Sequence, residues 1–293
     1  MIAFGFFLKK KRLITLELQQ GLTSLLLKAI LPVSILSSAN SEFTQGEVTN
    51  MLYMVIIAAG YYLCALILMT VLSKILPMKG KSKSVFITMS VFANTAFIGF
   101  PLITELYGNN GMIYAIIYNL FYQLFFFTYG VSLLSGNGGF ELKSIYKNVV
   151  TIASLASISI FLSPFRFPEA IASAMSSIGS MTVPISMIII GCSLADIRLL
   201  DILKDIFSYL VSALRLILFP ICLLLLLRIL KVPVGVAAVA TIMTALPAGS
   251  LNAIYAQQYQ CDPDYATRTV VQTMLLMIVT IPLMIVLISI LLP

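Results

Sequence analysis

The chain of 293 residues contains no histidine, and only 11 aspartates and glutamates against 18 lysines and arginines. The absence of histidine excludes histidine-based catalytic triads and the HExxH zinc motif. Charged residues of both signs make up 10% of the chain, while 60% is hydrophobic and the mean hydropathy is +1.05. So little polar surface cannot clothe a water-soluble domain of this size, and the composition is that of a polytopic membrane protein. The four cysteines, Cys64, Cys192, Cys222 and Cys261, follow no CxxC spacing. They are expected as free thiols with no metal site. No cleavable signal peptide is evident, no cofactor is implied, and no acidic pair or activated nucleophile supports an enzyme. The formal net charge of +7 is read as topology, with the lipid bilayer rather than nucleic acid as the surrounding partner.

What the chain does have is apolar segments, at about 1–8, 21–38, 52–73, 85–106, 111–134, 145–162, 169–193, 206–228, 234–259 and 265–292. Most approach the ~20 residues that a spanning helix needs, so about ten transmembrane helices are expected. The first is short for a span. The odd-numbered loops hold 13 of the 18 basic residues, among them Lys9, Lys10, Lys11, Arg12, Lys74, Lys79, Lys81, Lys83, Arg198 and Lys204. Basic residues are retained on the cytoplasmic side, which places the odd loops inside and both termini outside the cell membrane.

The breakers repeat. Leu31-Pro32 interrupts the second segment and Val183-Pro184 the seventh; Ala93-Asn94 interrupts the fourth and Pro247-Ala248-Gly249 the ninth. Proline removes a backbone donor and glycine loosens the chain. In hydrocarbon such a break survives only inside protein or beside a wet cavity. The pattern divides the chain into a first five-helix repeat (1–135), a cytoplasmic linker (136–144) and a second five-helix repeat (145–293). Five is odd, so the repeats lie inverted, the design of secondary transporters whose sites form at broken helices. Asn94 and Pro247 each fall near mid-depth of their segments at ~1.5 Å per residue.

Where a helix restarts, its free N–H groups and positive dipole end favour an anion. Asn94, Thr95, Ser250 and Asn252, with Pro247 at the break, are candidate substrate-binding residues. The alternative for the two asparagines is that they satisfy freed backbone groups. Arg215, mid-segment, is a candidate for pairing with substrate, with a loop carboxylate or with backbone carbonyls. Asn119 and Gln123, an i, i+4 pair, either line the cavity or bond between helices. Lys28 is expected to snorkel to the cytoplasmic interface. Pro101 is expected to kink its helix. No acidic residue falls at mid-depth to relay protons or hold sodium.

The stretch Ala93-Asn94-Thr95-Ala-Phe-Ile-Gly-Phe-Pro-Leu102, followed by Leu106-Tyr-Gly108, resembles the fourth helix of the auxin efflux carrier family. Ala245-Leu-Pro-Ala-Gly-Ser-Leu-Asn-Ala-Ile-Tyr-Ala256 resembles the ninth, and Pro184 with Gly191-Cys-Ser-Leu194 and Thr280-Ile-Pro282 also match. The resemblance covers nearly the whole chain and implies a prokaryotic-type member similar to the plant PIN-type auxin exporters. It further implies a scaffold of helices 1, 2, 6 and 7, and a moving transport domain of helices 3–5 and 8–10 crossed at helices 4 and 9. A homodimer through the scaffold is implied, as is a small organic anion as substrate: an auxin-like carboxylate or a dicarboxylate such as malate or malonate. The bile-acid sodium symporters share the wider fold, which leaves sodium-coupled symport as an alternative, alongside a non-transporting membrane sensor. In PIN-type carriers a proline precedes the first crossover asparagine; here Ala93 stands in its place.

Overall fold

The computed structural model describes residues 1–40, 45–78, 80–136, 141–195 and 205–292. Lys79, Arg198 and Lys204, counted above among the loop cations, lie outside them. The described residues are helical almost throughout: α1 (Ile2–Lys10), α2 (Leu16–Ser38), α3 (Gln45–Ile75), α4 (Lys81–Val91), α5 (Thr95–Ser135), α6 (Leu142–Lys147), α7 (Val149–Leu162), α8 (Glu169–Ala195), α9 (Ile206–Ile229), α10 (Val234–Ala245), α11 (Ser250–Gln258) and α12 (Pro263–Leu291). Six of them, α2, α3, α5, α8, α9 and α12, are long and apolar enough to cross a membrane. Within α5 the chain turns at Gly108, whose φ of 62° falls where only glycine is unstrained. At nine residues α1 reaches only ~14 Å, less than half of a ~30 Å hydrocarbon core.

Three prolines leave the same signature. Residues 26–30, 95–99 and 214–218 form wide π-helical turns, each ending two residues before a proline: Pro32, Pro101 and Pro220. A proline inside a helix lacks the N–H for the carbonyl four residues back, and its ring crowds that carbonyl. Widening the preceding turn by one residue relieves both problems while the helix continues. Pro32 is expected to break its helix, which instead runs on through a widened turn; Pro101, expected to kink its helix, likewise follows a widened turn. The turns carry side chains that matter below: Lys28, Thr95 and Arg215.

The helices pack mainly within two groups. One comprises α1, α2, α7 and α8; the other comprises α3, α4, α5 and α9 to α12. The first group is drawn together by small residues. A Cβ on Gly5 would lie 2.2 Å from the Ile188 carbonyl oxygen, and one on Gly191 would lie 2.0 Å from that of Ile2. α1 and α8 therefore touch backbone to backbone, as small residues permit between apolar helices. The second group buries the larger core, from Met54 and Tyr62 on α3 through Phe86 and Phe92 to Val239 and Met243 on α10.

Gly191→Ala should force α1 away from α8 and cost about 1–3 kcal/mol, read as a lowered unfolding temperature in detergent. Gly21→Ala, where a Cβ meets no atom within 4 Å, should leave that temperature unchanged or raise it slightly.

Candidate functional site: two paired helix breaks beside a cavity

Two helices stop in the interior and restart after a short extended stretch. α4 ends at Val91, Phe92 is extended (φ −95°, ψ 109°), and helix resumes at Thr95. α10 ends at Ala245, Leu246 is extended (φ −66°, ψ 154°), and helix resumes at Ser250. The two stretches pair as an antiparallel bridge between Ala93 and Ala248. The Asn94 amide donates to the Pro247 carbonyl, and the Gly249 amide donates to the Phe92 carbonyl, each at 2.9 Å. Glycine is required at 249, because a Cβ there would lie 2.9 Å from the Ala93 carbonyl oxygen.

Backbone groups freed in an apolar interior need partners, and side chains supply the rest. The Ala248 amide donates to Thr273 Oγ1 at 3.1 Å. Asn252 Nδ2 donates to the Phe92 carbonyl at 2.9 Å. Arg215, fully buried, donates from Nε to the Leu246 carbonyl at 2.8 Å and from Nη1 to the Ser90 carbonyl at 2.8 Å. These carbonyls belong to the C-terminal ends of α4 and α10. One guanidinium thus caps two negative dipole ends, the sign that a cation favours. Of the three partners open to Arg215, the structure gives backbone carbonyls.

The opposite ends face a cavity of about 420 Å³ between the two helix groups. Thr95, Ala96, Phe97, Ser250 and Leu251 line it, which are the first residues of α5 and α11. Neither Asn94 nor Gly249, at the cap positions, bonds an N-terminal amide through a side chain. A third helix start, that of α7, also lies on the wall, but Asn148 Oδ1 caps it by accepting from the Val150 and Thr151 amides at 2.9 and 3.3 Å. The wall carries Asn94, whose Nδ2 donates to Ser250 Oγ at 3.1 Å. It also carries Asn119, whose Oδ1 accepts from Thr95 Oγ1 at 2.7 Å, and Gln123, whose Oε1 accepts from Thr151 Oγ1. Among the described residues, none that line the cavity is acidic.

Of the candidates read from sequence, the structure gathers Asn94, Thr95, Asn119, Gln123 and Ser250 on the cavity wall. Pro247, Asn252 and Arg215 are buried behind it and hold the paired breaks together. Lys28, expected to snorkel to the cytoplasmic interface, is exposed and lines the cavity, with Gln19, Tyr122, Asn148 and Ser193. Asn148 had a legible signal, since an asparagine directly before an apolar run is a helix start. The others had none, because their faces are set by how α2, α5 and α8 meet.

Near the far end of α11, Glu141 Oε2 accepts from the Tyr255 hydroxyl at 3.1 Å, and Oε1 accepts from that of Tyr259. The Tyr259 bond holds the Glu141 carboxyl below its ordinary value, against a smaller opposing effect of burial.

A multi-pass helical membrane protein with paired breaks at a cavity is the class these observations define. The sequence places it further. A family model for membrane transport proteins, the auxin efflux carrier family, matches residues 1–144 and 139–285, and the chain belongs to that family. It is similar to an uncharacterized transporter of Methanocaldococcus jannaschii, 25% identical over 228 residues, covering 72% of this chain and 73% of the relative. It is also similar to one of Methanothermobacter thermautotrophicus, 26% identical over 193 residues, covering 65% of this chain and 63% of the relative.

Arg215→Met should strand the Leu246 and Ser90 carbonyls and cost about 2–4 kcal/mol of stability. Arg215→Lys should recover only part, because an ammonium cannot reproduce the planar fork; thermal unfolding in detergent measures both. Because the folded Glu141 value is lowered, its contribution is present above the ordinary carboxylate range and lost as pH falls through the folded value. Glu141→Gln should therefore lower the unfolding temperature at neutral pH and flatten its fall towards acid.

Proposed function

We propose that the protein is a secondary transporter that moves a small organic anion across the cell membrane by alternating access, with the paired breaks as its crossover. The observation that carries this reading is the pair of uncapped helix N-termini opening on one cavity whose wall holds no carboxylate among the described residues. Free amides and positive dipole ends stabilise a negative group there, and a carboxylate is the simplest organic one.

In this reading the chain forms ten transmembrane helices in two inverted repeats, 1–135 and 145–293, around a linker. Helices 1, 2, 6 and 7 make the scaffold, and helices 3–5 and 8–10 the transport domain. The packing of α1, α2, α7 and α8 apart from α3 to α5 and α9 to α12 supports that division. The cavity between them is flanked by Gln19, Asn148 and Ser193, near the basic odd loops. By the positive-inside rule this arrangement is open to the cytoplasm, with the C-terminus outside, while α1 at ~14 Å is too short to carry the N-terminus across as a straight span. Asn94, Thr95, Asn119, Gln123 and Ser250 contact the substrate. Pro247, Asn252 and Arg215 hold the crossing that presents them. A second copy docks through the scaffold, as the family resemblance implies.

The test is a thermal-shift panel of purified protein against organic acids and their neutral amides. A ligand that binds only the native state raises the unfolding temperature, by about 2.7 kcal/mol of stability at a hundredfold excess over Kd. At least one acid should stabilise the protein where its amide does not, and Asn94→Ala should weaken that effect about tenfold in Kd, for one lost hydrogen bond of ~1.4 kcal/mol. Stabilisation by amides and acids alike would sink the anion reading.

A further inference from the structure

We infer that Lys28 is the cation that draws the anion into the cavity and pairs with it. α2 runs from Leu16 to Ser38, and Lys28 stands seven residues, ~10 Å, into its apolar stretch 21–38. A lysine within an apolar stretch is costly unless it meets water or an anion. Its side chain is exposed, it lies on the cavity wall, and no acidic residue shares that wall among the described residues.

The widened turn explains how a lysine comes to point there. Lys28 is four residues before Pro32, the position whose carbonyl loses its helical partner, and it lies inside the π-helical turn 26–30. Leu26 and Ile30, two residues to either side, are buried against Ile189 of α8. With those two anchored, the turn presents Leu27 and Lys28 to the cavity.

A second feature points to a ligand independently. Asn119 is 1% exposed and lines the same cavity, and its Nδ2 has no partner while its Oδ1 is held by Thr95. A buried donor left unmade is unfavourable, and an acceptor entering the cavity would satisfy it. The described wall therefore offers an exposed lysine, an idle amide donor and two uncapped helix starts to a single negative group. The charge comes from α2 and the other donors from α5 and α11, so the ligand would bridge the two helix groups. Among the described lining residues Lys28 is the one cation, which suits one carboxylate better than two.

This inference rests on the transporter reading, and its test separates the two. Ile254, on the wall and 55% exposed, is changed to Cys in a background with the exposed Cys64 and Cys222 changed to Ser. The labelling rates of anionic sulfonatoethyl and cationic trimethylammonioethyl methanethiosulfonate are compared, with Tyr146→Cys, on an exposed loop helix, as the control site. The ratio of anionic to cationic rate at the cavity should exceed that at the control. Lys28→Gln should lower it about tenfold at the cavity alone, and Lys28→Arg should retain it. An unchanged ratio in Lys28→Gln overturns the inference. In parallel, the acid that stabilises the wild type in the panel should bind Lys28→Gln about tenfold more weakly and Lys28→Arg nearly as well. Equal affinity in all three also overturns it. If no acid stabilises the wild type, the transporter reading fails by itself, and the labelling ratio still decides what Lys28 does.

Discussion

Two chain segments that stop being helical inside an apolar core must hydrogen-bond each other, and the rest of this structure follows from that need. Phe92 to Asn94 and Leu246 to Gly249 exchange two backbone hydrogen bonds, which leaves several amides and carbonyls still to be matched. Thr273 of α12, Asn252 of α11 and Arg215 of α9 each reach in to match one or more. The helices that supply these side chains are thereby packed around the breaks, with Gly249 admitting the close approach.

The matching is uneven, and the unevenness has chemical consequences. The two C-terminal ends are satisfied by a buried guanidinium, whose positive charge opposes the negative end of each dipole. The two N-terminal ends are left without side-chain caps and turned to the cavity. The protein has met its own demand on one side of the crossing and left donors free on the other. A buried arginine with no carboxylate partner would be costly in isolation. Here it neutralises partial charges that the breaks themselves create, so the cation and the breaks stabilise one another.

Much of this was legible before any coordinates. Pro247 and Gly249 mark a break because their effect is local: a missing donor and a missing Cβ act on the residues beside them. Asn94 and Thr95 were legible from polarity in an apolar run. The break beside Ala93 has no proline to cause it, and it persists through its pairing with Ala248, a partner more than 150 residues away. Arg215 stood out as a charge in an apolar segment, yet its partners, Ser90 and Leu246, are distant in sequence. Asn252 looked like a cavity donor and is instead spent on the Phe92 carbonyl, an outcome decided by which face of α11 meets the crossing.

By itself the sequence determined the helical membrane class, the places where helices weaken and the polar residues available near them, because composition, hydropathy and proline act locally. Tertiary structure decided which of those residues face the cavity and which are consumed in closing the backbone. It set Lys28 on the cavity wall, in a widened turn whose Leu26 and Ile30 are anchored on Ile189. It also set one guanidinium against two helix ends. Those outcomes depend on the relative rotation and separation of helices remote in the chain, and packing settles both.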